Sequence, residues 1–383
     1  MMRRHVLSGI DRIADADRIL SGGRVGLMTN PTGVDHDLKS TVDILRERCD
    51  LTALFAVEHG IRGSAQAGDE VGNSVDPETG ITVYSAFGKN SHFSREMLDA
   101  FDVLVFDIQD VGARFYTYLY SLGYAMEACS RAGKKLVVPD RVNPLGGAQR
   151  TGLMLEPALS SFVGDYELLT RYGMTIGEFA RYAKDYMKLD VDLTVVPLTG
   201  WERGMLLDDT DLPWVMPSPN CPDLEAALCY PGTCIFEGTN CSEGRGTTIP
   251  FRVIGAPWID GGALEKRMAE SDTPGVHFRR MSFRPTFSKH QGMLCHGVQM
   301  HITDREKCDV FRAGLLLLDT VRRMYPDQFE FIRWPGGDTR YPLDKLLGTA
   351  DYRLGKKTVG QLFALSEEQT AVFTERIRPY LLY

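Results

Sequence analysis

The feature that most constrains the fold is an alternation of short apolar runs with amphipathic stretches over the first 145 residues. Such an alternation is typical of βαβ units and of a parallel sheet. The predicted strands are residues 24–29, 52–57, 103–107 and 135–139, and the predicted helices are residues 40–48 and 116–132. We therefore expect an α/β fold in which a Rossmann-like parallel sheet forms the N-terminal domain.

Polar residues follow each predicted strand directly, and they are the first candidates for a binding site. They are Asn30 after the first strand, Glu58, His59 and Arg62 after the second, Gln109, Asp110, Arg114 and Tyr116 after the third, and Arg141 and Asn143 after the fourth. In an open parallel sheet, ligands bind outside the carboxyl ends of the strands, so these segments are expected to converge on one crevice. Asn, Asp and Gly at strand ends also simply make turns. That alternative does not explain Glu58, because glutamate is a poor turn residue.

After residue 146 the alternation loosens, and we predict a boundary between domains of residues 1–155 and 156–383. The second domain is expected to be of the α/β (α+β) type, with the active site in the cleft between the two. Its predicted elements are helices at 176–187, 309–324 and 366–377, strands at 193–197 and 297–302, and a βαβ-like stretch at 251–283. Residues 201–250 form a long irregular stretch rich in proline and glycine, which we interpret as a wall of the site.

Several function classes are disfavoured by the sequence. The formal charge of −8 and the pI near 5.6 argue against a nucleic-acid partner, because phosphate binding needs a basic surface. The glycine spacing matches neither a dinucleotide fingerprint nor a P-loop, and there is no GxSxG elbow. No CxxC pair occurs, and His296 and His301 would face opposite sides of a predicted strand. We therefore predict no metal and no cofactor.

The same data bear on location. No apolar run approaches the roughly 18 residues of a membrane span, and charges interrupt residues 1–20 where a signal peptide needs its apolar region. The 8 cysteines are expected to be reduced, mostly buried thiols. We expect a chain that does not insert into membranes and lies in the cytoplasm, with prior removal of an export signal left open, as is the oligomeric state.

The segment 237–247, EGTNCSEGRGT, is dense in polar groups and in glycines that let a backbone approach a ligand. Asn240, Glu243 and Arg245 are its candidate site residues. A carboxylate at Glu243, opposite Glu58, would supply the two acidic groups that most glycosidases need, one acid and one base or nucleophile. The alternative is a surface loop with a local ion pair.

Ten ordered motifs across essentially the whole chain resemble the exo-β-N-acetylmuramidase family NamZ. They include VGLMTNPTGVD, EHGIRGSAQAGDEVG, PDRVNPLGG and YPGTCIFEGTNCSEGRGTTIPF. The resemblance implies a glycoside hydrolase that releases N-acetylmuramic acid from the non-reducing end of peptidoglycan fragments, in a cleft between a Rossmann-like part and a C-terminal part. It also implies that Glu58, in the EHG motif, is catalytic, whereas Glu243 as its partner is our own inference. Pro31 stands where family members often have histidine.

The chemistry of the implied substrate provides a further expectation. The lactyl carboxylate of muramic acid calls for a guanidinium, and Arg62, Arg114, Arg141 and Arg245 all lie in the predicted crevice segments. Alternatively, Arg141 simply pairs with Asp107 or Asp140. The expected partners are small glycans, MurNAc-GlcNAc fragments or muropeptide glycans. The competing hypotheses are a non-catalytic peptidoglycan-fragment binding protein and a metal- or nucleotide-dependent enzyme.

Overall fold

The computed structural model describes residues 3–58, 60–62, 72–86, 92–334 and 338–383. Within these residues the first sheet has seven strands in the order β3-β4-β2-β1-β5-β6-β7. They are β1 (Val25–Thr29), β2 (Leu51–Ala56), β3 (Ser74–Val75), β4 (Thr82–Ser85), β5 (Val103–Asp107), β6 (Lys135–Pro139) and β7 (Asp192–Val196). All neighbouring pairs are parallel except β3 with β4. The predicted parallel sheet is confirmed.

The four strands predicted from apolar runs agree with β1, β2, β5 and β6 to within a residue at each end. Their side chains are almost entirely buried, as in a sheet covered by helices on both faces. The order reverses beside β1, whose neighbours are β2 and β5. Such a switch point opens a crevice at the carboxyl edge of the sheet.

The helices around this sheet are α1 (Asp17–Leu20), α2 (Thr41–Arg48), α3 (Arg95–Asp99), α4 (Tyr118–Ala132) and α5 (Ile176–Tyr186). The predictions for α2, α4 and α5 are confirmed to within two residues. α4 ends at Gly133, which has a φ of 62° and supplies the left-handed C-cap. Its apolar residues recur on one face and pack into the core below the sheet edge.

The C-terminal part contains a small antiparallel sheet in the order β8-β10-β9, formed by β8 (Val253–Ala256), β9 (Val276–Phe283) and β10 (Cys295–Ile302). Its helices are α6 (Leu224–Thr233), α7 (Gly261–Ala269), α8 (Val310–Met324), α9 (Pro342–Leu347) and α10 (Val359–Ile377). The predicted β-α-β stretch at 251–283 corresponds to β8, α7 and β9. α10 begins seven residues before the predicted residue 366, because Thr358 caps its N-terminus with Gln361.

The two parts share one core, since a single hydrophobic cluster includes residues of both sheets and of α4, α6, α8 and α10. α6 and α8 approach closely at Gly232 and Gly314, where a Cβ on Gly314 would lie 1.8 Å from the carbonyl oxygen of Gly232. β7 pairs with β6, so the predicted boundary at residue 155 falls inside the chain that builds the first sheet.

Two further expectations concern the cysteines and membranes. None of the eight cysteines forms a disulfide within the described residues, and seven are buried, which agrees with the predicted thiols. Across those residues, the structure contains no helix with the length and apolar character of a membrane span.

Candidate functional site

A cavity of about 670 Å³ lies between the carboxyl edge of the first sheet and the C-terminal part. Its lining residues are Glu58, Phe115, Tyr116, Thr117, Tyr118, Val163, Ser218, Tyr230, Cys234, Glu237, Arg245, Trp334 and Leu346. We call residues 58 and 115–118 the sheet wall and residues 218–245 the segment wall. The volume is within the range of pockets that enclose small ligands. Part of the stretch 201–250 therefore lines this cavity.

Glu58 lies on the sheet wall two residues after the end of β2, where its carboxyl group is only partly buried. The chain turns there, because the N–H of Gly60 donates to the carbonyl of Val57 and Gly60 has a φ of 75°. The hydroxyl of Thr117 donates to Oε2 of Glu58 at 2.7 Å. Thr117 precedes α4 but does not cap it with its side chain, so this hydroxyl instead orients the carboxyl group of Glu58.

The second carboxylate in the cavity belongs to Glu237, not to the predicted Glu243. Glu237 lies in a short 3-10 helix, Cys234–Gly238, that follows α6. Arg245 donates to its Oε1 from Nη2 at 2.6 Å and from Nε at 3.1 Å. In the sequence, the only indication of Glu237 was the dense polar character of the 237–247 segment. That character did not distinguish Glu237 from Glu243.

Glu243 does not line the cavity, because its side chain is 1% exposed and faces the interior. Nζ of Lys289 lies 2.7 Å from its Oε2, and Nε of Arg245 lies 3.5 Å from its Oε1. Its placement fits a structural role in which it anchors the two cations.

Arg245 is the link between the two glutamates and stands on the cavity wall. Its guanidinium lies 5.1 Å from the ring centroid of Phe251. Burial alone would lower the pKa of Arg245, but the carboxylates of Glu237 and Glu243 raise it. Arg245 therefore carries a fixed positive charge next to the cavity.

Aromatic side chains cover much of the remaining wall. The rings of Phe115 and Tyr116 lie edge-on to Tyr230, at centroid distances of 5.0 and 5.9 Å. Burial raises the pKa of Tyr116 and of Tyr230 well above the ordinary tyrosine value, so both stay phenols. The hydroxyl of Tyr116 is buried and has no hydrogen-bond partner within the described residues. It is therefore an unsatisfied polar group next to the cavity.

Two of the arginines predicted to bind a carboxylate are engaged in ion pairs away from this cavity. Nη2 of Arg62 lies 3.1 Å from Asp76 and 2.8 Å from Glu78. Arg141 binds Asp107 through Nε at 2.6 Å and Nη2 at 2.7 Å, which is the pairing left open by the sequence. Arg141 lines a separate crevice of about 30 Å³.

Arg114 does not reach the cavity either, because its side chain is fully buried. It donates to the carbonyl oxygens of Leu153, Leu168 and Leu346, and the contacts with Leu168 and Leu346 measure 2.8 and 2.7 Å. Burial lowers the pKa of Arg114 to about 10, which leaves it charged at neutral pH. Arg114 thus joins the N-terminal part to α9.

Asn30 and Asp110 were predicted to bind substrate, and the structure places both side chains in turns outside this cavity. Oδ1 of Asn30 accepts from the N–H of Thr32 at 3.0 Å. Oδ2 of Asp110 accepts from the N–H of Gly112 at 2.6 Å and from the hydroxyl of Tyr172. Both side chains are buried and lie outside the cavity lining.

Three other predicted residues bond the backbone. Gln109 donates to two carbonyl oxygens at 2.7 and 2.8 Å, Asn143 to one at 2.9 Å and Asn240 to one at 2.7 Å. Their amides shape loops around the site without lining the cavity. His59 lies outside the described residues. Of the predicted residues, the structure therefore brings Glu58, Tyr116 and Arg245 together.

Comparisons with known proteins cover the whole chain. Family models described as "Exo-beta-N-acetylmuramidase NamZ", N-terminal and C-terminal, match residues 25–225 and 228–383. The chain is 48% identical to "Peptidoglycan beta-N-acetylmuramidase NamZ" of Bacillus subtilis strain 168, over 99% of this chain and 91% of that protein.

Two crystal structures of DUF1343 family proteins from Bacteroides fragilis NCTC 9343 share the fold. The first has a TM-score of 0.91 and 34% identity over 100% of both chains. The second has a TM-score of 0.77 and 30% identity over 99% of both chains.

Proposed function

The chain belongs to the exo-β-N-acetylmuramidase NamZ family, and on that premise we propose that it is a glycoside hydrolase acting on peptidoglycan fragments. The proposed reaction removes N-acetylmuramic acid from the non-reducing end of MurNAc-GlcNAc fragments. The observation that carries the proposal is one cavity that contains the carboxyl groups of Glu58 and Glu237 together with the cation of Arg245.

Glycoside hydrolysis needs two acidic groups with different roles, and the contacts of the two glutamates differ accordingly. Glu237 is bound by the guanidinium of Arg245, and a carboxylate in such a contact is suited to act as base or nucleophile. Glu58 accepts from the neutral hydroxyl of Thr117 and is the glutamate of the EHG motif, which the family resemblance implies to be catalytic. We assign the general acid to Glu58 and the partner carboxylate to Glu237.

In this mechanism the proton of Glu58 passes to the glycosidic oxygen as the bond from that oxygen to C1 of the muramic acid breaks. The oxygen of a water molecule then becomes bonded to C1, either directly or by displacing Glu237 from a covalent intermediate, in which case the bond between C1 and Glu237 breaks as the bond to water forms. The proton released by that water goes to the carboxylate that acts as base. The products are free N-acetylmuramic acid and a glycan shortened by one sugar.

Selectivity for muramic acid is assigned to Arg245, which supplies a guanidinium at the cavity wall. Charge-assisted hydrogen bonds to a carboxylate are stronger than neutral ones and add orientation. Phe115, Tyr116 and Tyr230 supply apolar surface and hydroxyl donors suited to the sugar face and the acetamido group.

The proposal is tested with chromogenic β-N-acetylmuramide beside the matching β-N-acetylglucosaminide. We expect much faster release from the muramide, because only this sugar offers a lactyl carboxylate to Arg245. Arg245→Gln should lower the muramide preference in kcat/KM by about tenfold or more, since a hydrogen bond to a charged group contributes roughly 1.5–3 kcal/mol. Equal rates on both sugars would overturn the proposed substrate.

A pair of disaccharides tests the exo direction. MurNAc-GlcNAc should be cleaved and GlcNAc-MurNAc left intact, because only the first presents muramic acid at its non-reducing end. Tight binding of MurNAc-GlcNAc without any turnover would instead support the carbohydrate-binding alternative.

A further inference from the structure

A group of potential metal ligands lies outside the cavity lining. Among the residues that the structure describes, His5, His36 and Asp211 each offer one ligand atom, and the three atoms lie within 4.8 Å of one another. Nδ1 of His5 is 2.7 Å from Oδ2 of Asp211, and Nε2 of His36 is 3.2 Å from the same oxygen. The two imidazoles therefore converge on one carboxylate oxygen.

The contacts of the Nε2 atom of His36 point to a ligand. This buried nitrogen has Asp211 as its partner, in an ion-pair contact whose geometry falls short of a well-formed hydrogen bond. A buried polar nitrogen that lacks a well-formed hydrogen bond is costly. A metal ion bound to the nitrogen would remove that cost.

The separation of the ligand atoms suits tetrahedral coordination. Two ligands bonded to zinc at about 2.0 Å along tetrahedral directions are separated by about 3.3 Å. The 3.2 Å between His36 Nε2 and Asp211 Oδ2 is close to that value, and the 2.7 Å between His5 Nδ1 and Asp211 Oδ2 must open slightly. The side chain of His5 is 67% exposed, so the exposed side leaves room for water as a fourth ligand.

The three ligands come from separate segments that backbone hydrogen bonds already hold together. The N–H of Asp211 donates to the carbonyl of Arg4 at 2.9 Å, which aligns the N-terminal arm with residue 211. Oδ1 of Asp211 accepts from the N–H of Val6 at 3.0 Å, and the N–H of His36 donates to Asp11 at 2.7 Å. This arrangement reduces the conformational change that binding requires.

The charge around the group also favours a cation. Asp11 and Asp37 both lie next to His36, and the nearby Arg4 is paired with Glu202 at 3.3 Å. Imidazole nitrogens with one carboxylate are ligands that borderline divalent ions such as Zn²⁺ prefer. We propose that His5, His36 and Asp211 bind a zinc-class divalent cation that fastens the N-terminal arm to the segments around residues 36 and 211.

To test the site, metal is first removed from the protein with a chelator, and the chelator is removed by dialysis. Zn²⁺ is then titrated into the protein, and binding is measured by calorimetry. We expect one Zn²⁺ per chain in the wild type and an affinity lower by at least about tenfold in His36→Gln and in His5→Gln. His277→Gln is the matched control, because His277 is exposed on β9 and outside the group. Seven of the eight cysteines are buried and should not compete.

A second measurement separates metal binding from a purely structural role. Zn²⁺ should raise the melting temperature of the wild type and of His277→Gln but not that of His5→Gln. His5→Gln is expected to fold, because its side chain is largely exposed. The proposal is overturned if the wild type binds no Zn²⁺, or if both site variants bind it with wild-type affinity and stoichiometry.

Discussion

The sheet wall and the segment wall of the cavity each present a glutamate, but the two side chains are held by different kinds of contact. On the sheet wall, Glu58 follows a buried strand and accepts from the hydroxyl of Thr117. On the segment wall, Glu237 is bound by Arg245, which also lies against the buried Glu243.

This difference shows two ways of building a site. The sheet wall is positioned by topology, because the carboxyl ends of parallel strands meet at one edge. The segment wall is positioned by a chain of charges in which Lys289 and Arg245 hold Glu243 inside and Glu237 at the surface of the cavity. The same difference predicts which changes affect chemistry alone and which also affect stability.

The largest effect is expected for Glu58→Gln. Glutamine keeps the size of the side chain and can accept from Thr117, but it cannot transfer a proton. Turnover of the muramide should therefore fall by roughly 10² to 10⁴. The melting temperature should hardly change, because the side chain is only partly buried. A variant that melts normally and turns over at nearly the wild-type rate would remove Glu58 from the mechanism.

The two glutamates of the 237–247 segment should separate chemistry from stability. Glu237→Gln should lower turnover by at least about 10² with a small loss of stability, because the side chain lies at the cavity wall. Glu243→Gln should lower the free energy of unfolding by about 3–5 kcal/mol, because it leaves Lys289 without its buried partner. Kinetics and urea unfolding of both variants provide the measurement. The reverse pattern would restore the original prediction that Glu243 is the catalytic partner.

The third prediction concerns Asp110, a buried acid near the sheet wall that is expected to affect only stability. Burial raises the pKa of Asp110 from 3.8 to about 7, although hydrogen bonds from Tyr172 and Gly112 oppose that rise. The folded state therefore binds this proton more tightly than the unfolded state. Protonated Asp110 therefore contributes roughly 2–4 kcal/mol to the free energy of unfolding at a pH below its ordinary pKa. This contribution is lost as the pH rises through about 7.

Asp110→Asn should abolish this dependence, because an amide does not titrate in that range. Urea midpoints measured from pH 4 to 8 for the wild type and the variant test the prediction through their difference, which cancels the titration of all other groups. A difference that stays constant across the range would show that Asp110 does not take up a proton there.

The smallest effect is expected for Tyr116→Phe, and it should have opposite signs for binding and stability. The hydroxyl of Tyr116 has no partner within the described residues, so its removal should leave stability unchanged or slightly higher. If the substrate bonds this hydroxyl, its loss should raise KM about two- to tenfold, as expected for a neutral hydrogen bond of roughly 0.5–1.5 kcal/mol. An unchanged KM would mean that the substrate does not use it.

Much of the fold was predictable because its signals are local. Buried runs of apolar residues identified β1, β2, β5 and β6, and helical spacing identified α4. α6 was missed because Pro231 lies inside it, and a proline normally argues against a helix. β7 was assigned to the second domain because strand pairing across a long stretch of chain leaves no local signal.

The sequence by itself determined the parallel sheet, the crevice at its carboxyl edge with Glu58, and the resemblance to the family. Only the tertiary structure decided which polar residues face that crevice. Glu237 and Glu243 lie in one irregular segment, and Lys289 and Arg245 select which is buried. Arg114 donates to backbone carbonyl oxygens, and Arg141 pairs with Asp107. Periodicity encodes strands and helices locally, whereas the direction of a side chain in a loop depends on partners distant in sequence.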